Sequence, residues 1–76
     1  MIIVSQDREE ILNFENIENI WICSDEEGRF TIEATADTNS TLGYYKTKER
    51  AKEVLMDIVK NYNITPLAMI YKMPEE

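Results

Sequence analysis

Histidine is absent, cysteine and tryptophan occur once each, and glycine and proline only twice each in a chain of 76 residues. The missing histidine removes the usual general base near neutral pH, the commonest metal ligand and any histidine-paired nucleophile. Hydrolases of the triad type are thereby excluded. The single Cys23 can neither close an internal disulfide nor supply a thiolate zinc site, which suits a reducing compartment. No apolar run reaches the length of a membrane span, and Met1-Ile2-Ile3-Val4 gives way at once to Ser5-Gln6-Asp7, unlike a secretory leader. A cytoplasmic location without membrane contact is expected. Internal repeats, low-complexity tracts and Pro/Gly/Ser linkers are lacking too, so residues 1–76 are expected to form a single domain.

What is present is an ordinary globular composition, 43% hydrophobic and 30% charged. A chain this short buries only about 60% of the surface that its unfolded form exposes, so its core is small. Association between copies is the natural supplement to such a core. The net charge is −7, and tracking a phosphate backbone needs clustered Lys and Arg, so direct nucleic-acid binding is not expected. The charge is uneven: residues 1–45 carry ten acids against Arg8 and Arg29, whereas residues 46–60 carry five bases against three acids. The N-terminal half is acidic and the following segment is slightly basic.

Short apolar runs at Ile2 to Ser5 and Glu10 to Phe14 flank a polar Gln6-Asp7-Arg8-Glu9, the pattern of a hairpin. The polar, Asn-rich Phe14 to Asn19 stretch favours a turn or a short 3₁₀ piece. Asn19 to Ser24 and Arg29 to Ala36 flank Asp25-Glu26-Glu27-Gly28, a hairpin turn whose glycine can take positive φ. In the second strand Phe30, Ile32, Ala34 and Ala36 alternate with polar residues, so one face is apolar. In the first, Ile20 and Ile22 share one face while Trp21 and Cys23 share the other. Asp37 to Ser40 is a further turn signal, and Thr41 to Lys46 reads as a fifth strand. Thr47 is a natural N-cap for a helix whose apolar stripe is Ala51, Val54, Leu55, Ile58, Val59 and Tyr62. Asn63 suits a left-handed cap, Ile64 could close back on Val59, and Pro66 prevents continuation; Leu67 to Met73 reads as a last strand. The fold class expected is α+β, a small antiparallel sheet of about five to six short strands with one amphipathic helix on one face. If Trp21, Cys23, Tyr45 and Ile3 lie on the uncovered face, a second copy or a partner is the simplest cover.

Few constellations carry chemistry. Asp37-Thr38-Asn39-Ser40-Thr41 opens like a calcium loop, but Leu42 stands where that loop needs glycine and Lys48 where it needs a bidentate Glu. A polar turn is the better reading. The acceptor patterns Asn39-Ser40-Thr41 and Asn63-Ile64-Thr65 have no role without secretion. Lys46, Lys48, Arg50 and Lys52 crowd the helix entrance, yet residues two apart on a helix diverge, and no glycine-rich loop precedes them to hold a phosphate. Adjacent carboxylates such as Glu9 and Glu10 point to opposite sides of a strand, which suits neither acid–base catalysis nor a metal. Neither an enzymatic activity nor a cofactor is expected. Met56 lies off the apolar stripe and should be exposed.

Several stretches together resemble a known group: Met1 to Asp7, Asn13-Phe14-Glu15-Asn16-Ile17, Leu42-Gly43-Tyr44-Tyr45-Lys46-Thr47 running on to Leu55, and Tyr71-Lys72-Met73-Pro74-Glu75-Glu76. The chain resembles small bacterial proteins of uncharacterised activity from Gram-positive organisms, often in prophage or other mobile-element settings. The likeness spans nearly the whole chain and is weakest over residues 19–40. It implies a cytoplasmic domain and brings no catalytic motif.

Two readings of function follow. In the first the chain is a homo-oligomeric interaction or accessory module, with Trp21, Cys23 and Tyr45 as contact residues and Tyr44 beside them as part of the recognition face, because Trp and Tyr anchor interfaces disproportionately. The competing structural account of these residues is a second core layer under the N-terminal hairpin. In the other reading Asp25, Glu26 and Glu27 belong to a negative surface that binds a basic protein, as an acidic phage-type inhibitor or nucleic-acid mimic would.

Overall fold

The computed structural model describes residues 1–64 and 70–76. In chain order they form β1 (Ile2–Val4), β2 (Ile11–Asn13), a 3₁₀ turn (Phe14–Asn16), β3 (Asn19–Ser24), β4 (Phe30–Thr35), β5 (Asn39–Tyr45), α1 (Lys48–Ile64) and β6 (Ile70–Lys72). The α+β class is as expected, with all six strands and the single helix present. They make two three-stranded sheets rather than one, ordered β2-β1-β6 and β3-β4-β5. β1 pairs antiparallel with β2, and β6 returns after the helix to lie parallel to β1, Ile3 opposite Tyr71.

Local chemistry accounts for the turns. Gly28 takes φ +83° at the β3–β4 turn, where Asp25 accepts from the backbone N–H groups of Glu27 and Arg29 at 3.0 and 2.8 Å. Thr47 caps α1 by accepting from the Arg50 N–H at 3.0 Å. The helix continues through Asn63, which is therefore helical and not a left-handed cap. Of the last strand, Ile70–Lys72 is observed; Pro66 and the 67–69 part of that expectation lie outside the described residues. β5 starts at Asn39, two residues before the expected Thr41, because Thr35 and Asn39 pair directly across a tight turn. Ala36, Asp37 and Thr38 are left as its tip.

The core gathers Ile3 from β1, Ile32 and Ala34 from β4, Leu42 and Tyr45 from β5, Ala51, Val54 and Ile58 from α1, and Tyr71 and Met73 at the C-terminal end. These are the i, i+3, i+7 positions of the helix stripe facing the apolar side of β3-β4-β5. Met56 is exposed, as its position off the stripe requires.

The two sheets are joined by polar contacts rather than by a shared ladder. Gln6, just past β1, donates its backbone N–H to the Leu42 carbonyl at 2.8 Å. Its side-chain amide accepts from the Tyr44 N–H at 2.8 Å and donates to the carbonyls of Tyr44 and Glu75, each at 2.9 Å. One glutamine thus imitates a strand between β5 and the C-terminal segment. Buried Ser40 donates to the Glu10 carboxylate at 2.7 Å, a second tie between the hairpins.

Candidate contact face

The faces of β3-β4-β5 follow from its register. Ile20 opposes Ala34 and Ile22 opposes Ile32 on the helix side; Trp21 opposes Glu33 and Cys23 opposes Thr31 on the other. Between β4 and β5 the pairing slips by one: Ile32 opposes Gly43 but Glu33 opposes Thr41, leaving Leu42 as the extra residue of a β-bulge. Without that slip Tyr45 would stand opposite Arg29, on the side of Thr31 and Glu33. With it, Tyr45 opposes Phe30 and turns inward, and Tyr44 opposes Thr31 and turns outward.

The expectation that Tyr45 belongs to the uncovered face is therefore corrected. Tyr45 is 2% exposed and its hydroxyl donates to the Pro74 carbonyl at 2.8 Å. Ile3 is likewise wholly buried in the core, because β1 is the middle strand of its sheet. Burial pushes the Tyr45 phenol up to about 12, since the charged form would lose its water. Tyr71 is raised in the same direction, by burial and then by the hydrogen bond it donates to Asp57 at 2.8 Å. Such groups stay protonated and neutral, as a core requires.

Trp21 and Cys23 do lie on the face away from the helix, Trp21 half-buried and Cys23 exposed. With them the structure brings Tyr44, 43% exposed, under the guanidinium of Arg29, which sits 4.4 Å from the ring centroid. Thr41 donates to the Glu33 carboxylate at 2.9 Å on the same face. The result is a sheet surface with two aromatic rings, one thiol and an internally satisfied polar pair. It offers area and hydrogen-bonding groups, without a nucleophile–base pair.

Asp25, Glu26 and Glu27 do not act together. Asp25 meets Arg29 at 2.8 Å and Glu27 meets it at 3.3 Å, so only Glu26 of the three has no cationic partner. Partial desolvation works against the Asp25 charge, but the hydrogen bonds from Arg29 outweigh it and hold this carboxyl below its ordinary value. Asp7 is also lowered, by the Ser5 hydroxyl and then the Glu9 N–H.

A groove of about 650 Å³ adjoins the face, lined by Gln6, Arg29, Tyr44, Tyr45, Lys46, Arg50, Glu75 and Glu76. Three of its residues are basic, which the spacing along the helix entrance alone did not show, because Arg29 arrives from a different hairpin. Most of that charge is already engaged: Arg29 by Asp25, and Arg50 by Glu53 at 3.3 Å and by the Glu76 carbonyl at 2.9 Å. Among the described residues no three Cys, Asp or Glu side chains converge as a metal site, and no helix is long and apolar enough to cross a membrane. Asn39 of the calcium-like stretch is instead a β5 residue that accepts from the Thr35 hydroxyl at 2.8 Å.

Sequence reasoning put Trp21 and Cys23 on this face with both Tyr44 and Tyr45 beside them, of which the structure keeps Tyr44 there and turns Tyr45 inward, and it missed Arg29. The alternation of β4 placed Arg29 on the Thr31 side, but nothing local marked the bulge that brings Tyr44 beneath it. Comparison with protein-family models, curated proteins and solved structures finds no match to this chain.

Proposed function

We propose that this chain is a small homo-oligomeric interaction or accessory module, not an enzyme, whose contact surface is centred on Trp21. The observation that supports it is the uncovered side of β3-β4-β5, where a half-buried Trp21 and an exposed Tyr44 sit opposite the helix-covered core. Burial of such rings is what holds interfaces together, and a core of this size gains from association. The cytoplasm of a Gram-positive bacterium, often in a prophage or mobile-element setting, is the location proposed from the sequence resemblance.

Sedimentation velocity over a wide concentration range tests the reading. The mass should rise with concentration, and Trp21→Glu should keep the chain monomeric. An unchanged assembly in that variant would remove the face from consideration. The alternative, an acidic inhibitor or nucleic-acid mimic bound to a basic protein, draws on the fifteen carboxylates of the chain. Two of the three carboxylates of its proposed tip are already held by Arg29, which favours the first reading. Salt-sensitive capture of a basic protein, weakened when Asp25, Glu26 and Glu27 are changed to Lys, would reverse that preference.

A further inference from the structure

β3 is the outer strand of its sheet, and the direction of its free backbone groups can be worked out. Asp25 donates its N–H to the Arg29 carbonyl at 2.9 Å, which makes this a hydrogen-bonded pair of the β3–β4 register. Such pairs alternate along an antiparallel ladder, so Cys23 and Trp21 also spend their N–H and C=O groups on β4; at the start of the strand the alternation breaks, and Glu18 gives its N–H to the Thr35 carbonyl at 2.8 Å. On the far side of β4, Ala36 donates to the Thr38 carbonyl at 3.1 Å, and even-numbered β4 residues bond towards β5 in agreement. The N–H and C=O groups of Ile20, Ile22 and Ser24 therefore point away from the sheet, with no backbone partner among the described residues.

This edge lacks the devices that usually prevent strand addition. Asn19-Ile20-Trp21-Ile22-Cys23-Ser24 contains no charge, no proline and no bulge against β4, in a chain of net charge −7. We infer that β3 pairs antiparallel with β3 of a second copy of this chain, with Trp21 on the two-fold axis. The inference rests on the self-association proposed above and gives it a geometry.

The register follows from charge and from which groups are free. Only even-numbered residues can exchange hydrogen bonds across the new pair, so an allowed slide is two residues at a time. With Trp21 opposite the second copy's Trp21, Ile20 and Ile22 exchange bonds with each other's counterparts, and the ends of the pair bring Asp25 near Ile17 and Glu18, whose N–H is already given to Thr35, near Ser24. One slide sets Glu18 against Glu26 of the second copy, and the opposite slide sets Glu18 against Ile22. Both are disfavoured, the first by repulsion and the second because only residues 19–21 of each β3 then overlap instead of residues 19–23. The favoured register completes the burial of Ile20 and Ile22, which one copy leaves half-exposed. It extends each sheet to six strands with both helices on one side, and it sets the two indoles side by side on the other. The contact is isologous, so it closes at two copies.

The test is a cross-link with a built-in register check. In the Trp21-centred register Asn19 faces Cys23 of the second copy in a non-hydrogen-bonded pair, where the Cα atoms lie about 4.5 Å apart and a disulfide fits. The variant Asn19→Cys, at an exposed position, should oxidise to a covalent dimer, while the wild type, whose Cys23 residues do not meet, should not. Backbone amide exchange at Ile20 and Ile22 should slow as concentration rises, and added salt should strengthen the dimer by screening two chains of −7 each. A dimer by sedimentation that neither cross-links through position 19 nor protects those amides overturns the edge pairing and leaves self-association standing. A chain that stays monomeric at every concentration overturns both.

Discussion

The two sides of the β3-β4-β5 sheet are built from the same three strands and serve opposite ends. Towards the helix, Ile32 and Ala34 are wholly buried and Leu42 and Tyr45 nearly so. Away from it, Trp21 is half-buried and Cys23 and Tyr44 are exposed. The difference is partly one of hydrophobicity, since Thr31, Glu33 and Thr41 share the outer side with Trp21 and Tyr44. It lies also in what each side is given to pack against: a seventeen-residue helix covers one, whereas on the other Thr31 is buried but Cys23 and Tyr44 stay exposed. A single helix of this length covers one face only, so the chemistry of the second face is free to serve something other than folding.

Substitutions that move a residue's contribution from one side to the other should show the contrast directly. The largest effect is expected at Ile32, in the middle of the covered side and 0% exposed. Ile32→Ala should cost about 2–5 kcal/mol, enough to abolish folding of so small a domain, as measured by urea denaturation. Gly43→Ala should come next. A Cβ there would lie 2.8 Å from the Tyr45 hydroxyl and 2.9 Å from its ring, and that ring is held by its bond to Pro74. With neither atom free to retreat, a loss of about 1–3 kcal/mol is expected.

Alkaline unfolding reports on the buried tyrosine of β5. The folded value of Tyr45 is raised to about 12 against about 10 in an unfolded chain. Stability linked to its proton is therefore fully present below pH 10 and is lost as the pH climbs towards 12, because the unfolded chain gives up the proton first. The urea midpoint should fall across that window, and Tyr45→Phe should flatten the fall, leaving the contribution of Tyr71. Thr47→Ala removes the helix cap bond to Arg50 and should cost about 1 kcal/mol by thermal unfolding. The smallest effect belongs to the open side: Cys23→Ala should change monomer stability by about 0.5 kcal/mol or less. A loss at Cys23 as large as that at Ile32 would mean that the outer face is a core after all.

Much of the fold was legible because it is written in short-range signals. The β3–β4 hairpin needs only an alternating pattern and a glycine at the turn; the helix needs a threonine cap and a 3.6-residue stripe. Those elements were placed to within a residue or two. The division into two sheets was not legible, since β1 meets β6 from the far end of the chain and the sheets are joined through the side chain of Gln6. Such a contact leaves no periodic trace. The candidate site was half legible for a related reason. Alternation gave Trp21 and Cys23, whereas assigning Tyr45 to the same face assumed continuous pairing through β5. One inserted residue, Leu42, inverts every side chain after it.

By itself, then, the sequence determined the fold class of the protein and the order of its elements. These depend on composition and on neighbours close along the chain. Tertiary structure alone decided that Tyr44 and not Tyr45 joins Trp21, that Arg29 reaches across to Tyr44, and that Asp25 and Glu27 are held by Arg29 rather than offered to a partner. Each of these outcomes depends on the register between strands. Register is a collective choice of the folded sheet, made where the core packs best, and no single stretch of sequence carries it.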